Sequence, residues 1–234
     1  MTLVLVAHGT REPAGALAAD EIAQAVRAKL SGVPVEVAFA DVRRPSVTEV
    51  LGTVRGPAVV LPAFLASGYH VRVDVPGQVA RSGHPDVRLA RPLGPARAMV
   101  SAMHDRLVSA GWRAGDELVL AAAGSSDDRA LADVGRAARL LAEHTGVRVR
   151  IGYVTTARPS VDEAVVAARR TGRRVAVACW LLAPGLFHRW VARCGADVVS
   201  EPIGAHPLLV EHVLRRYREM LPGPARVTLD ATLS

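Results

Sequence analysis

The chain repeats itself, and that restricts its fold to two copies of one unit. Leu3-Val4-Leu5-Val6-Ala7-His8-Gly9-Thr10 is answered by Leu118-Val119-Leu120-Ala121-Ala122-Ala123-Gly124-Ser125. Both are apolar runs closing in a small-residue turn. Arg44-Pro45-Ser46-Val47 returns as Arg158-Pro159-Ser160-Val161, and Arg91-Pro92-Leu93-Gly94 as Glu201-Pro202-Ile203-Gly204. Ala66-Ser67-Gly68-Tyr69-His70 returns, with one insertion, as Ala183-Pro184-Gly185-Leu186-Phe187-His188. The offsets stay between 110 and 118 residues and the order is kept. Whatever one half builds, the other must be able to build. One difference stands out: the first turn carries His8, the second Ala123.

Within each half, strand and helix patterns alternate. The first half predicts strands at 2–7, 33–39, 58–61 and 87–90, with helices at 14–30, from Val47, and at 95–110. The second predicts strands at 117–122, 147–154, 174–182 and 197–200, with helices at 127–144, 160–170, 184–194 and 206–221. The strand at 2–7 is a continuous apolar run, as strands covered on both faces are, and 58–61 reads as buried too, whereas 33–39 alternates. Ser46 with Glu49 three residues on has the spacing of a helix N-cap. Such alternation forces parallel sheets with right-handed crossovers. The expected fold is α/β: two similar doubly wound parallel-sheet domains related by internal duplication, residues 1–113 and 114–222, with a tail at 223–234. In such sheets ligands bind beyond the carboxyl ends of the strands. His8, Asp41 and the 62–70 loop all fall there, so they are expected to share a cleft facing the second domain.

Composition excludes several classes. At 234 residues and 50% hydrophobic, the chain buries a sizeable core and is not disordered. Its longest apolar runs, such as 175–183, are too short for a membrane span. The N-terminus has no basic region ahead of its apolar run and no small-residue cleavage site, which predicts a cytoplasmic protein. That also disfavours a periplasmic-type two-lobed binding protein. Cys179 and Cys194 form no CxxC pair and no disulfide framework. The net charge of +7 comes almost wholly from arginine, Lys29 being the sole lysine. The arginine fork suits carboxylate and phosphate. Nucleic acid is not expected, because aromatics are 4% of residues and no basic stripe is interleaved with them. No GxxxxGK[ST] or GxGxxG is present, so no nucleotide is expected, and Gly124-Ser125-Ser126 is no nucleophile elbow.

The chemistry-bearing residues are few. An imidazole at a strand end, as His8 is, can ligate a divalent metal or exchange a proton near neutral pH. His70 closes a loop of small residues, Ser67-Gly68 included, and is followed by Arg72 and Asp74. Asp41 follows the second strand; beside two histidines it would complete a His/His/carboxylate set for a borderline divalent ion. His84, His104, His144, His206 and His212 read as surface or helix positions. His188 stands where His70 does, but has no partner at Ala123, and is expected to line the cleft.

Together these residues resemble the class II tetrapyrrole chelatases of the sirohydrochlorin cobaltochelatase and ferrochelatase group, in their long two-domain form. The resemblance runs from about Leu3 to Leu221. It rests on the strand-His-Gly-Thr start, on Ala38-Phe39-Ala40-Asp41 leading to Arg44-Pro45-Ser46, and on Pro62-Ala63-Phe64-Leu65 through Gly68-Tyr69-His70 to Asp74-Val75-Pro76. It implies insertion of Fe²⁺ or Co²⁺ into sirohydrochlorin without ATP, the metal being a substrate, in siroheme or cobalamin biosynthesis. It implies His8 and His70 as metal ligands and proton acceptors. It usually sets a glutamate where Asp41 stands, one methylene shorter, so Asp41 would act through water or by orienting a histidine. A polycarboxylate substrate suits a basic cleft, with Arg11, Arg43, Arg44, Arg72, Arg158 and Arg189 as candidate contacts beside Ser67, Gly68 and His188. The alternative is a non-catalytic metal or tetrapyrrole carrier of the same fold. Either a monomer or a homodimer is compatible, since a duplicated chain supplies internally what a half-length relative builds by pairing.

Overall fold

Leu3 to Val6 expose almost nothing of themselves, because this run lies inside a sheet with helices on both faces. The computed structural model describes residues 1–222; the expected tail, 223–234, lies outside the described residues. The first half runs β1 (Thr2–Ala7), α1 (Pro13–Arg27), β2 (Val35–Phe39), α2 (Val47–Thr53), β3 (Ala58–Pro62), one turn of π-helix (His70–Asp74), α3 (Val75–Ser82), β4 (Val87–Leu89) and α4 (Arg97–Ser109). The second runs β5 (Glu117–Ala122), α5 (Asp128–Thr145), β6 (Val149–Tyr153), α6 (Val161–Arg169), β7 (Val175–Trp180), α7 (Leu186–Val191), β8 (Val198–Val199) and α8 (Pro207–Glu219). The sheets have orders β2-β1-β3-β4 and β6-β5-β7-β8, with every pairing parallel. This is the doubly wound α/β fold the alternation predicts, formed twice.

The side-chain period of two sorts each strand between two cores. Leu3, Leu5, Val59, Leu61, Leu118 and Leu120 face one core common to both halves. Val4, Val6, Ala58 and Val60 face a private core under α2 and α3. Val119, Ala121, Val175 and Val177 face its counterpart under α6 and α7. The common core also takes Ile22, Ala23 and Val26 of α1, with residues of α4, α5 and α8. The layers therefore run helices, sheet, four helices, sheet, helices. Burying each large side chain of the middle layer contributes roughly 1.5–3 kcal/mol. Cys179 and Cys194 are buried free thiols of the outer layer.

The middle layer is interlocked. The last helix of each half packs on the other: α4 lies against β7 and α5, and α8 lies against β3, α1 and α4. Tyr217 donates its hydroxyl to the Met1 carbonyl (2.8 Å), and Arg106 donates to the Ile203 carbonyl (3.2 and 3.1 Å). His212 is fully buried and donates Nε2–H to the Leu93 carbonyl (3.0 Å), while its Nδ1 accepts from Arg215. Among the described residues no helix is long and apolar enough to cross a membrane.

Local signals explain most boundaries. Ser46 accepts from the Glu49 N–H (3.2 Å) while the Glu49 carboxylate accepts from the Ser46 N–H (2.8 Å), a reciprocal cap repeated by Ser160 and Glu163 (3.2 and 2.7 Å). Residues 71–86 carry no element in the sequence reading, yet the π-turn and α3 occupy most of them. Pro76 sits in the first turn of α3, where the missing N–H is tolerated.

Burial, then the charges of Arg216 and Arg215, push the His212 pKa down to about 4. The unfolded chain therefore binds a proton near pH 6.5 that the folded chain refuses. His212 is expected to support the fold fully above pH 6.5, with that support fading between pH 6.5 and about 4. The loss amounts to something on the order of 3 kcal/mol. Urea midpoints from pH 7.5 to 4.5 measure it, and His212→Gln flattens that slope.

Candidate active site at the first strand switch point

β1 runs on to β2 on one side, and the chain returns to β3 on the other. The crevice of a doubly wound sheet opens where the strand order reverses, here beyond the ends of β1 and β3. His8 follows β1; the 62–70 loop follows β3. The loop returns its last residue to β1, and the His8 and His70 ring centres lie 4.5 Å apart, tilted by 46°. Phe64 sits 6.0 Å from His8 and 6.5 Å from His70, closing the apolar side of the pair.

A paired backbone device sets His8 in place. Gly9 has φ +94°, and a Cβ there would lie 1.9 Å from the Asp41 carbonyl oxygen. The His8 carbonyl accepts from the Asp41 N–H (3.0 Å), tying the ends of β1 and β2 together. Val42 then turns at φ 61°, with Arg43 N–H donating to the Asp41 carbonyl (2.6 Å). A β-branched residue held there costs on the order of 1–3 kcal/mol. The second half repeats every part: Gly124 at φ +92°, 1.9 Å from the Thr155 carbonyl, Thr156 at φ 64°, and the matching 3.0 and 2.6 Å bonds. The turn survives in both halves; the imidazole stands in one.

His70 is oriented by Asp74, which is not among the expected site residues. Asp74, one turn on, accepts from His70 Nδ1 (2.5 Å). With Nδ1 so engaged, the neutral ring presents its lone pair at Nε2. The signal was the spacing of four, which pairs side chains on a helix face. His8 keeps a face open to solvent, yet the surrounding protein holds its pKa below the ordinary imidazole value, with His70 adding to the effect. Asp41 and Asp74 pull the other way more weakly. Two imidazoles bound at right angles on one ion, with metal–nitrogen bonds near 2.1 Å, have ring centres about 4.5 Å apart. The rings are thus close enough for two imidazoles to share one ion, which would keep positions open for other ligands.

The remaining expected residues divide. Among the described residues no three His, Cys, Asp or Glu side chains converge as a metal cage, so the His/His/carboxylate set is not assembled. The reason is local: Asp41 is exposed and its Oδ1 folds back to accept the Val42 N–H (2.7 Å). Arg11 is exposed with no ion pair among the described residues, and Arg43 donates to the Thr10 carbonyl (3.2 Å) with its guanidinium 5.9 Å over Phe39. Arg44 pairs with Glu49 (3.3 Å), and Arg158 with Glu163 (2.8 Å). Arg189 pairs with Glu12 of the other half (2.9 Å). Arg72 is engaged by the Ser67 carbonyl (3.1 Å) and by Asp127, so its fork is taken. Ser67 gives its N–H to Asp133 (2.9 Å), and Gly68 lies against Ala130. His188 Nε2 lies 3.3 Å from the Ser200 carbonyl, just past the end of β8.

Two interlocked parallel α/β lobes, with an imidazole pair at the switch point of one, define a duplicated two-lobed α/β protein. The chain belongs to the CbiX family, whose model matches it twice, over residues 2–110 and 117–220. It is 36% identical over 78 residues to a sirohydrochlorin cobaltochelatase of Methanothermobacter thermautotrophicus, and 30% over 79 residues to one of Methanosarcina acetivorans. Those matches take in 32% of this chain, and the chain spans 54% and 61% of the length of these curated relatives. Its fold is similar to that of SirB from Bacillus subtilis with Fe³⁺, at a TM-score of 0.80 and 24% identity over 93% of this chain and 94% of that one.

Gly9→Ala and Gly124→Ala should each destabilise by at least about 2 kcal/mol, because both force a Cβ into a carbonyl at positive φ. Denaturant midpoints measure this. Weakened Co²⁺ binding, followed by absorbance, is expected for Gly9→Ala alone.

Proposed function

We propose that this protein is a sirohydrochlorin chelatase that inserts Fe²⁺ or Co²⁺ into sirohydrochlorin without a nucleotide. The observation carrying this reading is the His8–His70 pair, 4.5 Å apart at the switch point of the first half. In this reading residues 1–113 hold the chemistry, and residues 114–222 form the opposite wall and its supports.

Insertion exchanges one M²⁺ for two pyrrole protons. Two neutral imidazoles match that stoichiometry. Each lone pair first holds the ion, loosely because only two protein nitrogens bind it. As the macrocycle nitrogens take the metal, each lone pair is freed and accepts a proton. Asp74, at 2.5 Å from His70 Nδ1, stabilises the imidazolium that forms there. The lowered basicity of His8 keeps its lone pair available at neutral pH and lets the ring release its proton to solvent afterwards. Asp41 adds negative charge beside His8 without joining the ligand pair. The carboxylates of sirohydrochlorin meet a chain of net charge +7, with exposed Arg11 just past the His8 turn and exposed Arg43 tied to it through the Thr10 carbonyl.

Anaerobic absorbance of sirohydrochlorin with Fe²⁺ or Co²⁺ tests the reading. The protein should accelerate the spectral change, and His8→Ala or His70→Ala should each cut the rate at least about a hundredfold with unchanged circular dichroism. Wild-type rates in both variants sink it; binding without acceleration makes the protein a carrier.

A further inference from the structure

The second half has no histidine at Ala123, and His188 is engaged by the Ser200 carbonyl, so no second imidazole pair forms there and its part in the chemistry is indirect. α5 supplies one. Asp127, Ala130 and Asp133 recur every third residue, which puts them on one helix face. Each meets the loop that carries His70. Asp127 pairs with Arg72, Ala130 lies beneath Gly68, and Asp133 accepts from the Ser67 N–H (2.9 Å). Arg72 sits within the His70–Asp74 turn and also donates to the Ser67 carbonyl (3.1 Å), closing the loop on itself.

The duplication provides a comparison inside the molecule. Close to the corresponding places, Arg189 of the second half pairs with Glu12 of the first (2.9 Å). Gly15 stands against Pro184 as Ala130 stands against Gly68. Each half thus docks its third-strand loop on the first helix of the other. The place matching Asp133 is Ala18, so the loop with His188 lacks the second carboxylate. The stronger hold is on the loop that carries His70.

We infer that Asp127 and Asp133 are positioning residues: through Arg72 and Ser67 they fix His70 against His8, which is what the second half contributes to the reaction. This rests on the chelatase reading above. A side chain displaced by about 1 Å can cost on the order of a hundredfold in rate.

Asp127→Asn separates this role from simple support of α5. Asparagine caps a helix as well as aspartate, so the bond from the Arg129 N–H (3.0 Å) is kept while the charge on Arg72 is lost. Asp133→Ala removes the acceptor for Ser67. The tests use the full chain in the Fe²⁺ or Co²⁺ insertion assay, with Co²⁺ binding to the protein alone as a second readout. Asp127→Asn should lower kcat about tenfold, leave KM for sirohydrochlorin within about twofold, and weaken Co²⁺ binding, with Tm nearly unchanged. The double variant should approach the loss seen in His70→Ala. Glu143→Gln, which breaks the remote inter-half pair with Arg97 (3.0 Å), should change neither readout. If the double variant turns over like wild type while His70→Ala is dead, the positioning role is wrong. An equal loss in Glu143→Gln would also overturn it, as general loosening between the halves. If His70→Ala is itself active, the chelatase reading fails instead.

Discussion

The apolar core between the two sheets is the constraint on which the rest depends. Leu3 and Leu5 of one sheet and Leu118 and Leu120 of the other belong to the same buried cluster. Neither half can cover its inner face alone, because α4 and α8 are exchanged between them. The halves are therefore held in one relation, and side chains from one can serve as fixed supports for the other. The buried His212 bond to Leu93 and the Tyr217 bond to Met1 complete that lock with directional contacts. An imidazole pair at 4.5 Å needs such a frame, since each ring arrives on a separate strand-end segment.

On this frame the duplication divides labour between backbone and side chain. The strained turns at Val42 and Thr156, with Gly9 and Gly124 beside them, match closely in geometry. They are the way this fold joins the ends of its first two strands, whether or not a reactive group follows. One substitution, Ala123 in place of a histidine, leaves the second turn without chemistry and without loss of shape. His188, lacking a ring to face, bonds a backbone carbonyl instead, as a partly buried imidazole must to satisfy its nitrogen.

Much of the fold was legible because its signals are local. Apolar runs, the Ser46–Glu49 and Ser160–Glu163 spacings and the glycine stops each act within a few residues. The helical stretch over 70–82 is not among the expected elements; it opens with a π-turn and carries Pro76 in the first turn of α3. Missing that helix hid the spacing that links His70 to Asp74. The arginines were legible as a class and not one by one. Arg72 and Arg11 look alike in sequence, yet one is held by a carboxylate 55 residues away and the other is exposed.

The sequence by itself determined the two-unit architecture, the parallel sheets and the segments that reach the strand ends, because periodicity and repetition are written residue by residue. It also determined that only the first half offers a histidine at both loops. The tertiary structure decided which neighbours those loops meet. It turned Asp41 back onto its own turn, bonded His188 to the Ser200 carbonyl, and set α5 under the loop bearing His70. These outcomes depend on packing between elements far apart in the chain. No short-range pattern encodes them, because the common core, and not the strand ends themselves, sets how the halves face each other.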